Sequence, residues 1–377
     1  MMKRLTHRTL AILLLLAALP LAPGCRKDAA PAKMPLLFDA QADNLATKAN
    51  INLAMTGAYE TGENFAVYAA FAETSFDRAN ASTYESFWPG AIECAYDSVD
   101  DGWAPTTPYY WPLVGTLTFQ AYSPYDLGST GGTVTHTWAG GCTFTGFQVP
   151  AAGSQYDLMY SNRVENCRRS DYTRDGDAYD DDNDRTGHPY NGIDIDFKHA
   201  LSLIDVHAVS SLGSRSTIEY YIKNVRITGA HDTGTFSQAG ESWSSVSGTS
   251  SYTILGDTWK KLPSANESET EHPVNSSINM ILMPQDLDHN GNTEADDVYI
   301  QFDYKKVDTR TEPATVLSSE SVSWPIPLTY TLSGESVTGW QKSIKYTYRF
   351  VFSDYIEFTA SISRWGSTIH GTYLIVQ

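Results

Sequence analysis

The chain has 377 residues, of which 44 are Asp or Glu and 26 are Lys or Arg, so its formal net charge at pH 7 is -18. Such an acidic surface repels phosphate backbones, which argues against nucleic acid as a partner. The 23 Tyr, 14 Phe and 9 Trp favour β-structure, and the length suffices for two domains.

The first 24 residues have the pattern of a secretory signal peptide. Lys3, Arg4 and Arg8 precede an apolar run over residues 10–19, which is shorter than the roughly 20 apolar residues of a membrane-spanning helix. The run leads to Gly24-Cys25, a sequence that looks like a bacterial lipoprotein cleavage site. We therefore predict lipidation of Cys25 and anchoring to a membrane through the lipid, the alternative being a non-lipidated signal peptide.

The mature chain is predicted to be an all-β protein of two antiparallel β-sandwich domains. Residues 25–48 are rich in Ala and Pro and predict a lipid-anchored tether. Short alternating segments separated by turn residues then predict an N-terminal domain over residues 49–192 and a C-terminal domain over residues 193–377. The apolar residues of segment 197–209 fit helical spacing nearly as well as a buried strand.

The sequence makes specific predictions about two strands and about the disulfide pairing of the cysteines. Residues 51–55 alternate as a first strand. Residues 116–121 alternate so that one side, with Leu117, Phe119 and Ala121, faces a core and the other side, with Thr116, Thr118 and Gln120, faces water. Besides Cys25, three cysteines remain, so at most one internal disulfide can form and its pairing stays open. They are Cys94, Cys142 and Cys167.

The sequence offers no specific catalytic constellation. It contains no G-x-S-x-G elbow, no H-E-x-x-H zinc motif and no Gly-rich phosphate loop. We therefore predict that the protein is not an enzyme. An alternative binding function is capture of glycans by a surface lipoprotein, in which tryptophans such as Trp88 and Trp103 would stack on sugars if they are exposed. The sequence does not separate exposed turn aromatics from core residues at these two positions.

One acidic loop has the spacing of a calcium site. Over residues 286–297, acid or amide oxygens stand at loop positions 1, 3, 5, 9 and 12, and Gly291 stands at position 6. These oxygens would converge on a hard cation, although the residue at position 12 is shorter than the usual Glu. Ca²⁺ and an ordinary solvated loop both remain open. The candidate ligands are Asp286, Asp288, Asn290, Asn292, Glu294 and Asp297.

Residues 109–124, YYWPLVGTLTFQAYSP, resemble a signature of the fimbrillin family, the type V pilins and related surface lipoproteins of Bacteroidales. Further segments resemble the same family in the same order, and the set covers most of residues 50–365. They are residues 64–71, 157–160, 197–203, 218–229, 234–236, 281–287 and 346–365.

The resemblance implies two tandem transthyretin-like domains and a fimbrial subunit or fimbrillin-like adhesin at the cell surface. Its partners would be other fimbrial subunits and ligands on host or bacterial surfaces. In polymerising members, a protease removes a strand near the start of the first domain, and a partner's terminal segment replaces it by strand addition. The matching position is Lys48, after which we predict a cut; an uncut Lys48 would suit a tip or anchor subunit.

Overall fold

The structure is a computed structural model that describes residues 33–42, 57–58, 63–84, 86–98, 102–172, 192–213, 215–268, 272–276, 280–332, 334–365 and 374–376. Across these residues the chain forms strands and three short 3-10 helices but no α-helix, so the all-β prediction is confirmed. Nothing in these ranges is a helix long and apolar enough to cross a membrane.

The first half of the chain contributes the following strands: β1 (Phe38–Ala42), β2 (Gly57–Ala58), β3 (Phe65–Ala72), β4 (Ile92–Asp97), β5 (Gly102–Pro105), β6 (Thr116–Ser123), β7 (Thr133–Thr137), β8 (Gly141–Gln148), β9 (Met159–Ser161), β10 (Val164–Cys167) and β11 (Ile193–His199). The 3-10 helices are Arg78–Thr83, Gly128–Thr130 and Arg169–Tyr172.

The second half contributes the remaining strands: β12 (Ser202–Ser210), β13 (Ile218–Ala230), β14 (Thr233–Ser237), β15 (Ser242–Ser247), β16 (Ser250–Thr253), β17 (Lys260–Lys261), β18 (Met280–Leu282), β19 (Tyr299–Asp308), β20 (Thr315–Pro325), β21 (Thr329–Leu332), β22 (Glu335–Thr338), β23 (Ile344–Phe352), β24 (Ile356–Arg364) and β25 (Leu374–Val376).

Seven strands of the first half close into a ring in the order β6-β3-β4-β5-β1-β11-β9, and β9 pairs back onto β6. Strands β2 and β10 add to this ring on β1 and β6. Alternate side chains of the ring strands, with Phe65, Phe119 and Phe197 among them, fill its interior as a separate apolar core. The predicted boundary between the two domains lies at residue 192, but the next strand, β11, is part of the ring. The ring unit therefore extends to His199.

Strand β6 is buried on both faces, which corrects the expectation that Thr116, Thr118 and Gln120 face water. Every residue of β6 is buried. The β7–β8 hairpin covers the outer face, where Gln120 Oε1 lies 2.9 Å from His136 Nε2. Thr118 Oγ1 accepts a hydrogen bond from the Asn166 backbone N–H at 3.2 Å. Polar side chains can alternate along a strand and still be buried where a second layer supplies their partners.

The second half forms two facing sheets. The first has the order β18-β12-β23-β24-β25, and the second has the order β16-β13-β19-β20 with β17 beside β13. Aromatic side chains interdigitate between them, with the rings of Phe302 and Phe350 4.9 Å apart and those of Trp324 and Phe358 5.4 Å apart. The ambiguous segment 197–209 lies in strands β11 and β12.

A third sheet joins the two halves. Its order is β15-β14-β8-β7, so strands of the second half pair directly with a hairpin of the first. The rings of Phe144 on β8 and Phe236 on β14 lie 6.2 Å apart in a core that continues into the facing sheets. Cys94, Cys142 and Cys167 are all buried with free thiols, so none of them forms a disulfide.

Glu241 links the ring to the second half by charge. Its carboxylate accepts hydrogen bonds from Lys198 of β11 at 2.9 Å and from Lys342, before β23, at 3.2 Å. Lys342 also donates to the Tyr160 hydroxyl of β9 at 2.8 Å. Burial opposes ionisation of the carboxyl, but the two lysines outweigh it and lower the pKa of Glu241 to about 2 from 4.5.

We predict that Glu241→Gln destabilises the protein near neutral pH. Because the folded-state pKa is depressed, the carboxylate's contribution is complete above pH 4.5 and is lost as the pH falls through about 2. The side chain is 40% exposed, so solvent screening limits the loss to about 1 kcal/mol. Urea unfolding at pH 7 and at pH 3 measures it, with exposed Glu335→Gln as control. Equal losses for both variants at pH 7 would contradict the assignment.

Candidate functional site

Residues 33–42 are part of the ring, so the predicted tether over residues 25–48 is wrong for this stretch. Met34, Leu36, Leu37 and the inward residues of β1 are buried, each with no more than 4% of its surface exposed. The sequence did carry the signal, because Phe38, Ala40 and Ala42 alternate with polar residues. The alternation is short and lies in an Ala- and Pro-rich stretch, which is why composition concealed it.

Backbone hydrogen bonds hold this segment from both sides. The Leu36 N–H donates to the Tyr109 carbonyl at 2.9 Å, and the Trp111 N–H donates to the Met34 carbonyl at 2.9 Å. On the other side, β1 pairs with β11 in parallel over its whole length, from Phe38 beside Ile193 to Ala42 beside Phe197. Its contact with β5 is a single pair, Phe38 with Trp103. The aromatic cluster before β6 therefore pairs with the N-terminal segment.

Phe38 is the main apolar anchor of β1. Its side chain is fully buried, and its ring meets those of Phe119 at 5.4 Å and Phe65 at 6.1 Å in edge-to-face geometry. Gly192, immediately before β11, allows the close approach of the two backbones. It has a φ of +89°, and a Cβ there would lie 2.6 Å from the Phe38 carbonyl carbon. The ring interior is thus built around this side chain.

A cavity of about 600 Å³ lies beside residues 33–37. The N-terminal segment forms one wall through Leu36 and Leu37, and Tyr96, Pro105 and Tyr109 form part of the other.

The tryptophans proposed as a sugar platform are buried. Trp88 is 1% exposed and donates its Nε1–H to the Val67 carbonyl at 3.0 Å, and Trp103 is 7% exposed in the ring interior. Neither indole face is open to a sugar. Of the two possibilities left open by the sequence, exposure or burial in the core, the structure shows burial for both, and the alternative glycan-capture function loses the residues on which it rested.

Three of the predicted features fall outside the described residues. They are the lipidation residue Cys25, the processing residue Lys48 and the predicted first strand over residues 51–55. In the sequence, Lys48 follows the end of β1 at Ala42 by six residues. A cut after Lys48 would therefore leave β1 on the N-terminal fragment.

The acidic loop between β18 and β19 is organised by its own backbone. Asp288 accepts hydrogen bonds from the N–H groups of Gly291, Asn292 and Thr293 at 2.7–3.1 Å. Asp297 Oδ2 accepts from the N–H of His289 at 2.7 Å. Among the described residues, no group of three or more His, Cys, Asp or Glu is placed to hold a metal ion.

The amide side chains of the loop make similar local bonds. Asn290 Nδ2 donates to Asp297 Oδ1 at 3.2 Å, and Asn292 Oδ1 accepts from the Glu294 N–H at 2.7 Å. Asp286 Oδ1 accepts from the Asp288 N–H at 3.1 Å. Five of the six candidate ligands, all except Glu294, accept hydrogen bonds from backbone or amide N–H groups of the same loop. Calcium binding stays a prediction.

The calcium prediction is tested by calorimetric titration of the purified protein. A calcium site at this loop would give a saturable heat that Asp288→Ala removes, since Asp288 supplies the acceptor oxygens around which the loop turns. Identical traces for the unaltered protein and the variant would rule out the site. Asp77→Ala, at the start of an exposed 3-10 helix, is the matched control for loss of one carboxylate.

The chain matches the fimbrillin-like family over residues 47–365. The chain belongs to this family. Fimbrillin-like architecture also appears in a fimbrial protein from Bacteroides vulgatus, which is 14% identical, covers 88% of this chain and 99% of its own, and superposes with a TM-score of 0.56. At that identity the likeness concerns the fold. No curated protein matches.

Two further fimbrial and adhesion structures are similar at lower scores. A candidate cell adhesion protein from Bacteroides uniformis is 15% identical, with coverages of 88% and 98% and a TM-score of 0.46. The tip fimbrial protein Mfa3 from Porphyromonas gingivalis is 11% identical, with coverages of 89% and 100% and a TM-score of 0.34. The resemblance to the fimbrillin family found in the sequence is confirmed by the family match.

We predict that Phe38→Ala destabilises the full-length protein by about 3–5 kcal/mol, the usual cost of removing a buried phenyl ring. The loss follows from the edge-to-face contacts with Phe65 and Phe119. Chemical denaturation measures it, and Tyr355→Ala, at a side chain that is 66% exposed, is the control. An unchanged unfolding midpoint would show that β1 does not support the ring.

Proposed function

We propose that this fimbrillin-like protein is a non-enzymatic subunit of a cell-surface fimbrium, anchored in the outer membrane through lipidated Cys25. A cut after Lys48 releases β1, and a strand from another subunit takes its place. The family supports the fimbrial role. The observation that supports the assembly step is the position of β1. This strand precedes Lys48 in the sequence and is one of the strands that form the ring.

The physical consequence of losing β1 follows from its contacts. Before the cut, β1 is continuous with the rest of the chain, so its pairing is intramolecular. After the cut, only noncovalent contacts would hold it, namely backbone hydrogen bonds and the burial of its apolar side chains, of which Phe38 is the largest. Its departure exposes the edge of β11 and an apolar interior. An exposed edge next to an apolar groove is a template for another extended chain.

The adhesive role remains the broader part of the proposal. The expected ligands are molecules on host or bacterial surfaces. Trp88 and Trp103 are buried, so neither side chain can stack on a sugar. Fimbrial assembly therefore has more support in the structure than glycan capture.

We predict that Lys48→Gln abolishes processing and detergent-resistant assembly at the cell surface. Mass spectrometry of surface-extracted protein should find residue 49 as the N-terminus of the unaltered protein and an intact N-terminal segment in the variant. Ladders on detergent gels should appear only for the processed form. Lys33→Gln, at an exposed lysine before β1, is the matched control and should be processed normally.

An intact N-terminal segment on the unaltered protein would contradict processing and would favour a tip or anchor subunit. Normal ladders from Lys48→Gln would show that assembly does not depend on this cut. Labelling with radioactive palmitate, compared between the unaltered protein and Cys25→Ser, tests the lipid anchor independently of both results.

A further inference from the structure

Trp259 differs from the other tryptophans of the chain in its surroundings. All nine tryptophans lie within the described residues, and eight of them belong to apolar clusters. Trp259 belongs to none of these clusters and lies half-buried immediately before β17, at the border of the sheet β16-β13-β19-β20. Because its ring is not part of a described core, its contacts at the surface define what it can do.

The strand register brings a second aromatic ring and three lysines to the same face as Trp259. β17 pairs with β13 so that Lys261 lies beside Tyr221, and one residue further along this antiparallel register Trp259 lies beside Lys223. β13 pairs with β19 so that Tyr221 lies beside Lys305. The β13 residue between Tyr221 and Lys223 is buried in the core, so these side chains lie on the outer face of the sheet. We call this surface the aromatic–lysine patch: Trp259, Tyr221, Lys223, Lys261 and Lys305.

Lys305 stands between the two rings of the patch. Its Nζ lies 4.7 Å from the centroid of the Trp259 ring and 4.9 Å from that of the Tyr221 ring. The Nζ of Lys223 also lies over the Trp259 ring, at 4.9 Å. Among the described residues, no carboxylate lies within ion-pair distance of Lys305. An incoming anion could therefore recruit this ammonium group without breaking an ion pair, and a charge-assisted hydrogen bond is stronger than an exposed contact with a ring face.

This part of the sheet has a cationic excess in an acidic chain. The three lysines and Arg226 lie among three carboxylates, a balance of +1, whereas the whole chain has a formal net charge of -18. Since each carboxylate already accepts a hydrogen bond, the excess charge remains with Lys305 and Arg226. The donor and carboxylate pairs are Lys223 with Asp257, Lys261 with Glu219, and Ser321 with Asp303.

Hydroxyl groups of β20 line one side of the patch. The register of β19 and β20 places Ser319 beside Lys305 and Ser321 beside Asp303, and both serines are exposed. A serine hydroxyl both donates and accepts hydrogen bonds, so this row suits a ligand that carries hydroxyl groups of its own.

We propose that the aromatic–lysine patch binds a carboxylated sugar. The apolar face of the sugar ring stacks on the Trp259 indole, the sugar carboxylate pairs with Lys305, and sugar hydroxyl groups contact the serine row of β20. This inference rests on the adhesive part of the proposed function and gives that role a class of ligand.

The combination of groups favours a sugar over other anions. Sites for small ligands combine aromatic faces with a few placed polar groups. A sugar ring has C–H groups on one face and hydroxyl groups at its rim, which match the indole and the serine row. An acidic peptide or an anionic lipid headgroup would satisfy Lys305 but would leave the indole face or the serine hydroxyls without a partner. Sialic acids and uronic acids share the required chemistry, so both are tested.

Ligand-observed NMR titration of the purified full-length protein tests the site. The probes are 3′-sialyllactose and a hyaluronan tetrasaccharide, each compared with its own carboxyl methyl ester, which keeps the sugar rings and removes the charge. At least one of the acids should bind saturably. Its ester should bind about three- to fivefold more weakly, and about 1 M NaCl should remove most of this difference.

Labelling with 5-fluorotryptophan locates the binding. Each of the nine tryptophans contributes one fluorine signal, and the signal that disappears in Trp259→Phe belongs to Trp259. This signal should shift when the acidic sugar is added, and the signals of the buried tryptophans should not. Shifts confined to other tryptophans would place the binding elsewhere and overturn the site.

Variants of the patch separate stacking from charge. Trp259→Ala should weaken binding by about tenfold or more, and Lys305→Gln by about three- to fivefold. Lys306→Gln is the charge control, because Lys306 lies on the other face of β19 and pairs with Asp354. Tyr355→Ala is the ring control, since this exposed ring lies outside the patch. Both controls should stay within about twofold. Trp259→Ala should remain folded, as circular dichroism will show.

The outcomes distinguish this inference from the function on which it rests. Absence of binding to both acids, equal binding of acid and ester, or unchanged affinity in Trp259→Ala would overturn the site. Binding to polyglutamate or to phosphatidylglycerol vesicles in place of both sugars would also overturn it and would identify another class of partner. The titrations use uncut protein, so they do not depend on assembly. Detergent-resistant ladders without sugar binding would leave the fimbrial subunit in place and remove only this ligand.

Discussion

The fold of the first half depends on closure of the ring by β1. This strand stands between β5 and β11, two strands whose mutual separation in sequence is about ninety residues, and no other described strand occupies that gap. A closed ring has no free edge, and its interior can bury aromatic rings from every side. Phe38 completes that interior. Removing β1 therefore changes both the hydrogen bonding and the core in a single step.

The second half and its junction with the ring are held together by contacts that do not include β1. Its facing sheets have their own aromatic core, and the sheet of β7, β8, β14 and β15 fastens the ring to them. Glu241 adds ionic contacts to both halves through Lys198 and Lys342. None of these contacts includes β1. The ring strands on the far side of the gap thus remain anchored when β1 is absent.

Sequence reasoning reached the fold class and the family but missed the N-terminal strand. Alternation predicted long strands such as β13 and β23 because one face of each is buried and the repeat continues for nine or more residues. In β1 the repeat covers five residues and two of its inward residues are Ala. Such a strand gains its burial from partners that lie far away in sequence, so local periodicity cannot reveal it. The same reason hid the burial of Thr118 and left the burial of Trp88 and Trp103 undecided.

The physical chemistry of β1 also gives the N-terminal segment a protective role before assembly. The edge of β11 alternates Ile193, Ile195 and Phe197 toward the interior, and an uncovered edge of this composition pairs readily with any extended chain. A segment that is covalently attached covers this edge at high effective concentration. The proposed cut after Lys48 would remove that advantage. A segment can therefore be stable as part of the chain and replaceable as a fragment.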